Sequence, residues 1–425
     1  MKQNVVRTIR LPQAIALYVA AVIGAGVLLL PGLAATTAGP ASILAWIFDC
    51  CLGIPLALTF AALASRYPDA GGVATFTTRA FGPAVGAVTG WFYFIASIVG
   101  QIIVPLTGAY YIADALYLGR DATFLIAAAI LIAAIVPNLY GLRVSGRLAL
   151  LLSASVALLL LIATLVSIPR MHAVHWTPFA PHGLPAIGQA GVLIFFAFFG
   201  WEAIAQLSAE FIHPERDVPR STLWSVGLVT ILYLGVAIAT IGTGTYGTAA
   251  LDRVSVARLL SDALGIGAGA VAAVMALVIS LGTVNAYVAA SSRLGYALAR
   301  DRALPGWLEQ LDRQGIPRRS LLFIGVVALL GLILTYLVGW SASSLLIIPN
   351  SLGIATYVIG TAAGAWLLAG LSRWLAAGSC LLCLAIFFFA GTSIAIPLII
   401  ATVALVYRQW RCQKKSLHSL DAGPR

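Results

Sequence analysis

The sequence predicts an all-α membrane protein of twelve transmembrane helices, arranged as a five-plus-five inverted repeat in which helices one and six are broken. Three observations predict it. Of 425 residues, 61% are hydrophobic and only 9% are charged, fewer charges than a soluble domain of this size carries. Apolar runs long enough to cross about 30 Å of hydrocarbon recur from end to end. Two of these runs, five helices apart, are interrupted by glycine at membrane depth.

The runs fall at 11–37, 40–64, 84–117, 122–140, 144–168, 185–209, 221–245, 264–297, 320–338, 342–368, 372–389 and 391–408. The third and eighth are long enough to be strongly tilted. Helix one contains Val22-Ile23-Gly24-Ala25-Gly26-Val27, and paired glycines there invite the backbone to open. Unpaired N–H and C=O groups are not tolerated against lipid, so an opened helix must line a cavity or be packed in protein. Between helices two and three, the segment from Arg66-Tyr67-Pro68-Asp69 to Ala80-Phe81-Gly82-Pro83 is too polar to span and is predicted to lie along the membrane surface. The loop 169–184 carries His172, His175, His182 and Trp176 among prolines; the spacing fits no metal-ligand motif and predicts a solvated loop. Helix six is interrupted at Gly200. The connector His213-Pro214-Glu215-Arg216-Asp217-Val218-Pro219-Arg220 uses its prolines to stop one helix and start the next.

Matching interruptions in two halves mark an inverted-repeat transporter. Five is an odd number of crossings, so the halves run in opposite membrane senses. The predicted units are 11–168 (helices one to five), 185–368 (six to ten), 372–408 (eleven and twelve) and a basic, disordered cytoplasmic tail at 409–425.

Net charge is +11, and its distribution is more informative than its size. With a cytoplasmic N-terminus and strict alternation, only Arg120, Arg170, Arg253 and Arg258 of the 25 basic residues fall outside. The positive-inside rule then places both termini in the cytoplasm. The basic balance reports topology and contact with anionic lipid, not a nucleic-acid partner. The N-terminal apolar run is too long for a signal peptide and reads as a retained first helix. The five cysteines form no disulfide framework, and Cys380 and Cys383 sit in an apolar helix as buried thiols rather than a metal pair.

Intramembrane acids are few, and Asp49 and Glu202 are the two placed well inside a span. A charge at the bilayer centre costs about 2.5–3.5 kcal/mol on insertion scales, so each needs a partner, a proton or a water path. Glu202 adjoins the Gly200 break. It either tunes the broken helix and takes up a proton during transport, or is a protonated acid bonded to freed backbone. Asp49 reads as structural, salt-linked to a neighbouring helix or nearer the outer interface.

Freed amides around Ile23, Gly24, Ala25 and Gly26, with the helix dipole, suit a carboxylate. Freed carbonyls near Phe198, Phe199 and Gly200 suit an ammonium. Facing each other, they describe the head of an α-amino acid. Phe196, Phe198, Phe199 and Trp201 on helix six and Tyr287 on helix eight make the rest of the pocket apolar or aromatic. Tyr93, Ser97 and Gln101 on helix three, Thr283 and Asn285 on helix eight, and Asn350 and Ser351 on helix ten are polar residues inside spans that either line the pocket or bond a neighbouring helix; Tyr93, Gln101 and Asn285 are expected at the substrate. No histidine lies inside a span and there is no HExxH, which argues against a membrane-embedded enzyme. An amine permease would leave the Gly24–Gly26 amides unused.

These motifs resemble those of the amino acid–polyamine–organocation transporters across nearly the whole chain. Ile23-Gly24-Ala25-Gly26-Val27 with Leu30-Pro31-Gly32 resembles the family's first helix. Tyr67-Pro68-Asp69-Ala70-Gly71-Gly72 with Ala80-Phe81-Gly82 resembles its first cytoplasmic loop. Phe199-Gly200-Trp201-Glu202 and the connector 213–220 resemble helix six and its exit, with His213 where the family usually has asparagine. Arg293-Leu294-Gly295-Tyr296-Ala297-Leu298-Ala299-Arg300-Asp301 with Leu304-Pro305 resembles the end of helix eight. Ser208-Ala209-Glu210-Phe211 and Asn285-Ala286-Tyr287 most resemble bacterial exporters of methionine and branched-chain amino acids.

The resemblance implies a substrate head held at Ile23–Gly26 and Phe198–Gly200, with Phe196 and Tyr287 at gate positions and Glu202 in gating or proton sensing. It implies secondary transport of neutral apolar L-amino acids by alternating access, as an exporter, with import, exchange or amine transport as alternatives. Some proton-coupled members carry a lysine on helix five; here the only lysines are Lys2, Lys414 and Lys415. The expected partners are an amino acid substrate, H+ as coupling ion and membrane lipid, with the chain a monomer or homodimer and no cofactor.

Overall fold

The computed structural model describes residues 11–24, 26–67, 71–140, 146–202, 212, 214–313 and 315–421. All regular structure among them is helical. Nine stretches of these residues are long and apolar enough to cross a membrane, and Ala154–Arg170 and Gly183–Phe198 are shorter apolar helices.

The first predicted span is two helices, α1 (Leu11–Val22) and α2 (Gly26–Ala38), with Ile23 and Gly24 non-helical between them. A 3-10 turn at Gly39–Ala41 leads into α3 (Ser42–Arg66). The short α4 (Val73–Phe81) buries Val73, Phe76 and Thr77 against α5 (Pro83–Ala115) and leaves Arg79 exposed. It therefore packs on helices and is not held at the surface by lipid alone. The next helices are α6 (Arg120–Leu139), α7 (Gly146–Ser167) and α8 (Gly183–Ile194), the last running into a 3-10 turn at Phe195–Phe198. Beyond the second break come α9 (Pro214–Thr243), the short α10 (Ala249–Arg253) and α11 (Ser255–Leu264), and the long α12 (Ile266–Arg300). The chain closes with α13 (Arg318–Val338), α14 (Ala342–Leu345), α15 (Ile347–Leu367), α16 (Leu371–Phe388) and α17 (Ala395–Asp421).

Two boundaries differ from the sequence reading for identifiable reasons. α9 starts at Pro214, ahead of the expected 221, because proline is tolerated in a first turn whose N–H groups have no intrahelical partner. α17 continues to Asp421 through the stretch expected to be a disordered tail. That stretch is rich in arginine, lysine, glutamine and leucine, all good helix formers, and has no glycine before Gly423.

The 33-residue α5 and the 35-residue α12 pack along each other through the middle of the bundle. At 1.5 Å per residue each is far longer than a perpendicular crossing needs, as expected for tilted helices. α5 also packs on α6, α15 and α4. α1 lies on α9 and α7, α2 on α8, and α3 on α9, α16 and α8. The two breaks are thereby buried among packed helices, where opened backbone can be satisfied. In the 169–184 loop, His175 Nδ1 lies 2.7 Å and the His172 N–H 2.9 Å from the Gly242 carbonyl. The histidines thus tie the loop to the end of α9. No group of three metal-ligating side chains occurs among the described residues.

Candidate functional site

The two breaks touch. A Cβ at Gly26 would lie 3.3 Å from Phe196 Cδ1 and 3.5 Å from Ala197 Cα, so the start of α2 sits directly against the 3-10 turn. Gly24 faces Thr283 of α12 in the same way, with Thr283 Cγ2 3.3 Å from the position of a Cβ. Ile23 is buried and its N–H bonds Val19 O at 2.7 Å. Ala25 lies outside the described residues.

The opened backbone is not left bare. The Gly24 N–H donates to Val22 O at 2.8 Å. Tyr233 Oη, from α9, lies 2.8 Å from Val22 O and 3.0 Å from Ala197 O. One hydroxyl thus spans a carbonyl from each break. It has a single proton to donate, so the two carbonyls share it. Tyr111 of α5 donates to Leu28 O at 2.8 Å, and Tyr357 of α15 lies 3.3 Å from Phe198 O. The carbonyls expected to be free for an ammonium are therefore partnered by tyrosines. Each carbonyl oxygen carries a second lone pair, which such a bond leaves open.

After Phe198 the chain is extended at Phe199, with φ −70° and ψ 140°. Gly200 then takes φ +123°, a conformation L side chains rarely adopt, and so turns the chain. This turn aims Glu202 back into the bundle, where its side chain is 3% exposed. Tyr93 Oη of α5 donates to Glu202 Oε1 at 2.6 Å and the Gly200 N–H to Oε2 at 3.1 Å. The Tyr357 hydroxyl is hydrogen-bonded to Oε2 as well. One carboxyl thereby joins three elements: the break, α5 and α15.

Aromatic rings pack the site. Phe199 stands edge-on to Phe195, Phe196 and Tyr357, with centroids 5.6, 5.9 and 5.6 Å away, and Phe198 is edge-on to Tyr233 at 5.5 Å. Glycines admit them: a Cβ at Gly353 would lie 1.7 Å from Phe199 Cζ, and one at Gly53 would lie 3.3 Å from Phe198 Cδ1. Trp201 is fully buried and lies 6.2 Å from the Tyr18 ring.

The structure gathers Ile23, Gly24, Gly26, Phe196, Phe198, Phe199, Gly200, Glu202 and Tyr93 at the two breaks. Tyr287 packs on Gly100, where a Cβ would lie 3.2 Å from its ring. Gln101 instead bonds Ser291 at 3.0 Å, and Asn285 accepts from Asn138 Nδ2 at 2.6 Å, joining α12 to α5 and α6. Asp49 is 1% exposed, and neither of its oxygens has a hydrogen-bond partner among the described residues, so the expected salt link is not formed there. Ser208-Ala209-Glu210-Phe211 lies outside the described residues. Sequence reasoning passed over Tyr233, Tyr357 and Tyr111. Their signal was a phenolic hydroxyl inside an apolar span, which needs a partner when buried.

At the far end of α2, Thr36 Oγ1 donates to Asp252 Oδ1 at 2.7 Å, and the Gly247 N–H reaches the same oxygen at 3.0 Å. Gly32 admits α10, because a Cβ there would lie 2.7 Å from Asp252 Cα. Arg258 and Asp114 form an ion pair between α11 and the end of α5. Burial pushes the Asp252 carboxyl up from the ordinary aspartate range, opposed by the bonds from Thr36 and Gly247.

The chain is similar to known proteins along nearly all of its length. A family model described as amino acid permease matches residues 9–410. An uncharacterized amino acid permease, YecA of Bacillus subtilis, is 34% identical over 409 residues, covering 94% of this chain and 95% of its own. The L-methionine/branched-chain amino acid exporter YjeH of Escherichia coli is 30% identical, covering 90% of this chain and 91% of its own. The branched-chain amino acid permease BcaP of Bacillus subtilis is 28% identical, covering 74% and 72%. The chain is an integral membrane protein and belongs to the amino acid permease family.

Proposed function

We propose that the protein is a secondary transporter of neutral, apolar L-amino acids such as methionine, leucine, isoleucine and valine. It has twelve spans in a five-plus-five inverted repeat, with both termini in the cytoplasm of a bacterial inner membrane, and works by alternating access. The observation that carries the reading is the juxtaposition of Gly26 with Phe196 and Ala197. It sets the amide end of α2 against the carbonyl end of the 3-10 turn, an anion site beside a cation site.

The substrate carboxylate is read by the amides from Gly24 and Ala25 to Gly26. On binding it takes the Gly24 N–H from Val22 O, which keeps the Tyr233 hydroxyl. The ammonium uses the second lone pairs of the Ala197 and Phe198 carbonyls. Phe196, Phe198, Phe199 and Tyr287 form the apolar wall, with Phe196 and Tyr287 as gates. Glu202 holds α5 and α15 to the break through Tyr93 and Tyr357. Its protonation would remove acceptor capacity from that knot and release the break, which makes H+ the coupling ion. Export is favoured by the exporter function named for YjeH, with import or exchange as the alternative.

A thermal-shift panel tests the substrate class. Methionine and the branched-chain amino acids should raise the melting temperature of the detergent-solubilised protein, and their decarboxylated amines should not. Stabilisation by the amines alone would make it an amine permease.

A further inference from the structure

A cleft of about 560 Å³ opens at the end of the bundle that the charge bias assigns to the outside, away from the two breaks. It lies between the end of α5, the start of α6, α10 and the turn before α14. Its walls include Tyr110, Asp114, Arg120, Phe124, Arg253 and Trp340. That volume falls in the ~300–1,000 Å³ range of small-molecule sites.

Its polar groups are unequally used. Arg120 is engaged: Nη2 donates to Tyr336 O at 2.7 Å, and the guanidinium lies over the Phe124 and Tyr336 rings. Arg253 lies over the Tyr110 ring, 5.0 Å from its centroid, and pairs with no carboxylate among the described residues. The Tyr110 hydroxyl accepts the Ala342 N–H at 3.1 Å, which fixes the ring beneath it. Asp114 gives Oδ1 to Arg258, while Oδ2 has no partner among the described residues. The cleft thus offers an unclaimed guanidinium fork, an unclaimed carboxylate oxygen and an aromatic wall that includes the half-exposed Trp340.

We propose that this cleft is a second, external binding site for a zwitterionic α-amino acid. The Arg253 fork takes the carboxylate in a bidentate pair, Asp114 Oδ2 takes the ammonium, and Tyr110, Phe124 and Trp340 receive an apolar side chain. The proposal rests on the amino acid transport reading above. It goes beyond that reading in giving the substrate a stop outside the closed end of the pathway. Arg253 adjoins Asp252, whose backbone is seated on Gly32 and whose carboxylate holds Thr36. An amino acid gripping Arg253 therefore pulls on the residue that plugs the outer end of α2, which couples occupancy of the cleft to opening.

Sided transport tests this. Leucine half-saturation is measured in right-side-out and in inverted membrane vesicles containing the full chain. Arg253→Gln should raise the external half-saturation concentration at least tenfold and leave the cytoplasmic one unchanged, and Arg253→Lys should restore part of the loss. Trp340→Ala, an exposed change that leaves the charges intact, should raise external half-saturation for leucine more than for alanine. Unchanged external half-saturation in Arg253→Gln and Trp340→Ala, or equal rises on both sides, would overturn the proposal and leave the transporter reading standing. No amino acid transport by the wild type in either orientation would overturn both.

Discussion

Tyr93 and Glu202 are 109 positions apart, yet the Tyr93 hydroxyl donates to Glu202 Oε1 at 2.6 Å. Tyr357 closes on the other oxygen. A buried carboxyl is costly unless donors surround it, and here the donors come from two different helices and from the glycine turn itself. The break, α5 and α15 can separate only by giving up these bonds.

The first prediction follows from that knot. Hydrogen bonds to a charged group contribute about 1.5–3 kcal/mol each. Tyr357→Phe removes one, together with the hydroxyl that lies 3.3 Å from the Phe198 carbonyl. Leucine transport should fall at least tenfold while the protein still reaches the membrane. Glu202→Gln should flatten the pH dependence of transport, and an unchanged profile would take Glu202 out of any proton role.

Tyr233 gives a stability prediction. Its single hydroxyl serves Val22 O and Ala197 O, and both are buried. Tyr233→Phe leaves the shared proton missing, at a cost of about 1–3 kcal/mol. The melting temperature in detergent should drop, with leucine binding weakened in parallel. A variant as stable as the wild type would mean that water replaces the hydroxyl.

Two glycines should respond in opposite directions to alanine. A Cβ at Gly353 would fall 1.7 Å from Phe199 Cζ, whereas nothing lies within 4 Å of one at Gly378 on α16. Gly353→Ala should displace Phe199 and abolish transport. Gly378→Ala should stabilise the helix by about 0.5–1 kcal/mol. Equal melting temperatures for the two variants would contradict the packing described for Phe199.

Asp252 carries a pH prediction. Burial raises its proton affinity above that of an unfolded aspartate, so the folded chain holds the proton more tightly. Its contribution to stability is full below the unfolded value and is lost as pH rises through the folded one. Asp252→Asn keeps an acceptor for Thr36 and Gly247 and removes the titration. As pH rises through the carboxylate range, the wild-type melting temperature should fall relative to that of the asparagine variant. Parallel curves would contradict this.

The helices were legible because twenty apolar residues in a row have one stable answer in lipid. The break in helix one was legible from Gly24 and Gly26, and the turn that ends the 3-10 segment at Phe198 from Gly200 beside Glu202. What closes the breaks was not legible, because a phenolic hydroxyl in an apolar run, as at Tyr233 and Tyr357, says that a partner is needed but not which one. Their role depends on which helices pack on α1 and α8. Asn285 and Gln101 were expected at the substrate, and the partners that packing gives them, Asn138 and Ser291, have no local signature. The helical continuation of α17 was hidden by charge, which set topology expectations but does not oppose a helix in water.

Counterflow tests the central claim most directly. Proteoliposomes loaded with unlabelled leucine and diluted into trace radiolabelled leucine or methionine should take up label transiently above its equilibrium level. The Gly26→Leu variant, which fills the contact with Phe196 and Ala197, should take up none while remaining folded in the membrane. A flat trace for the wild type with every one of the twenty amino acids would contradict the account, and so would full counterflow in Gly26→Leu.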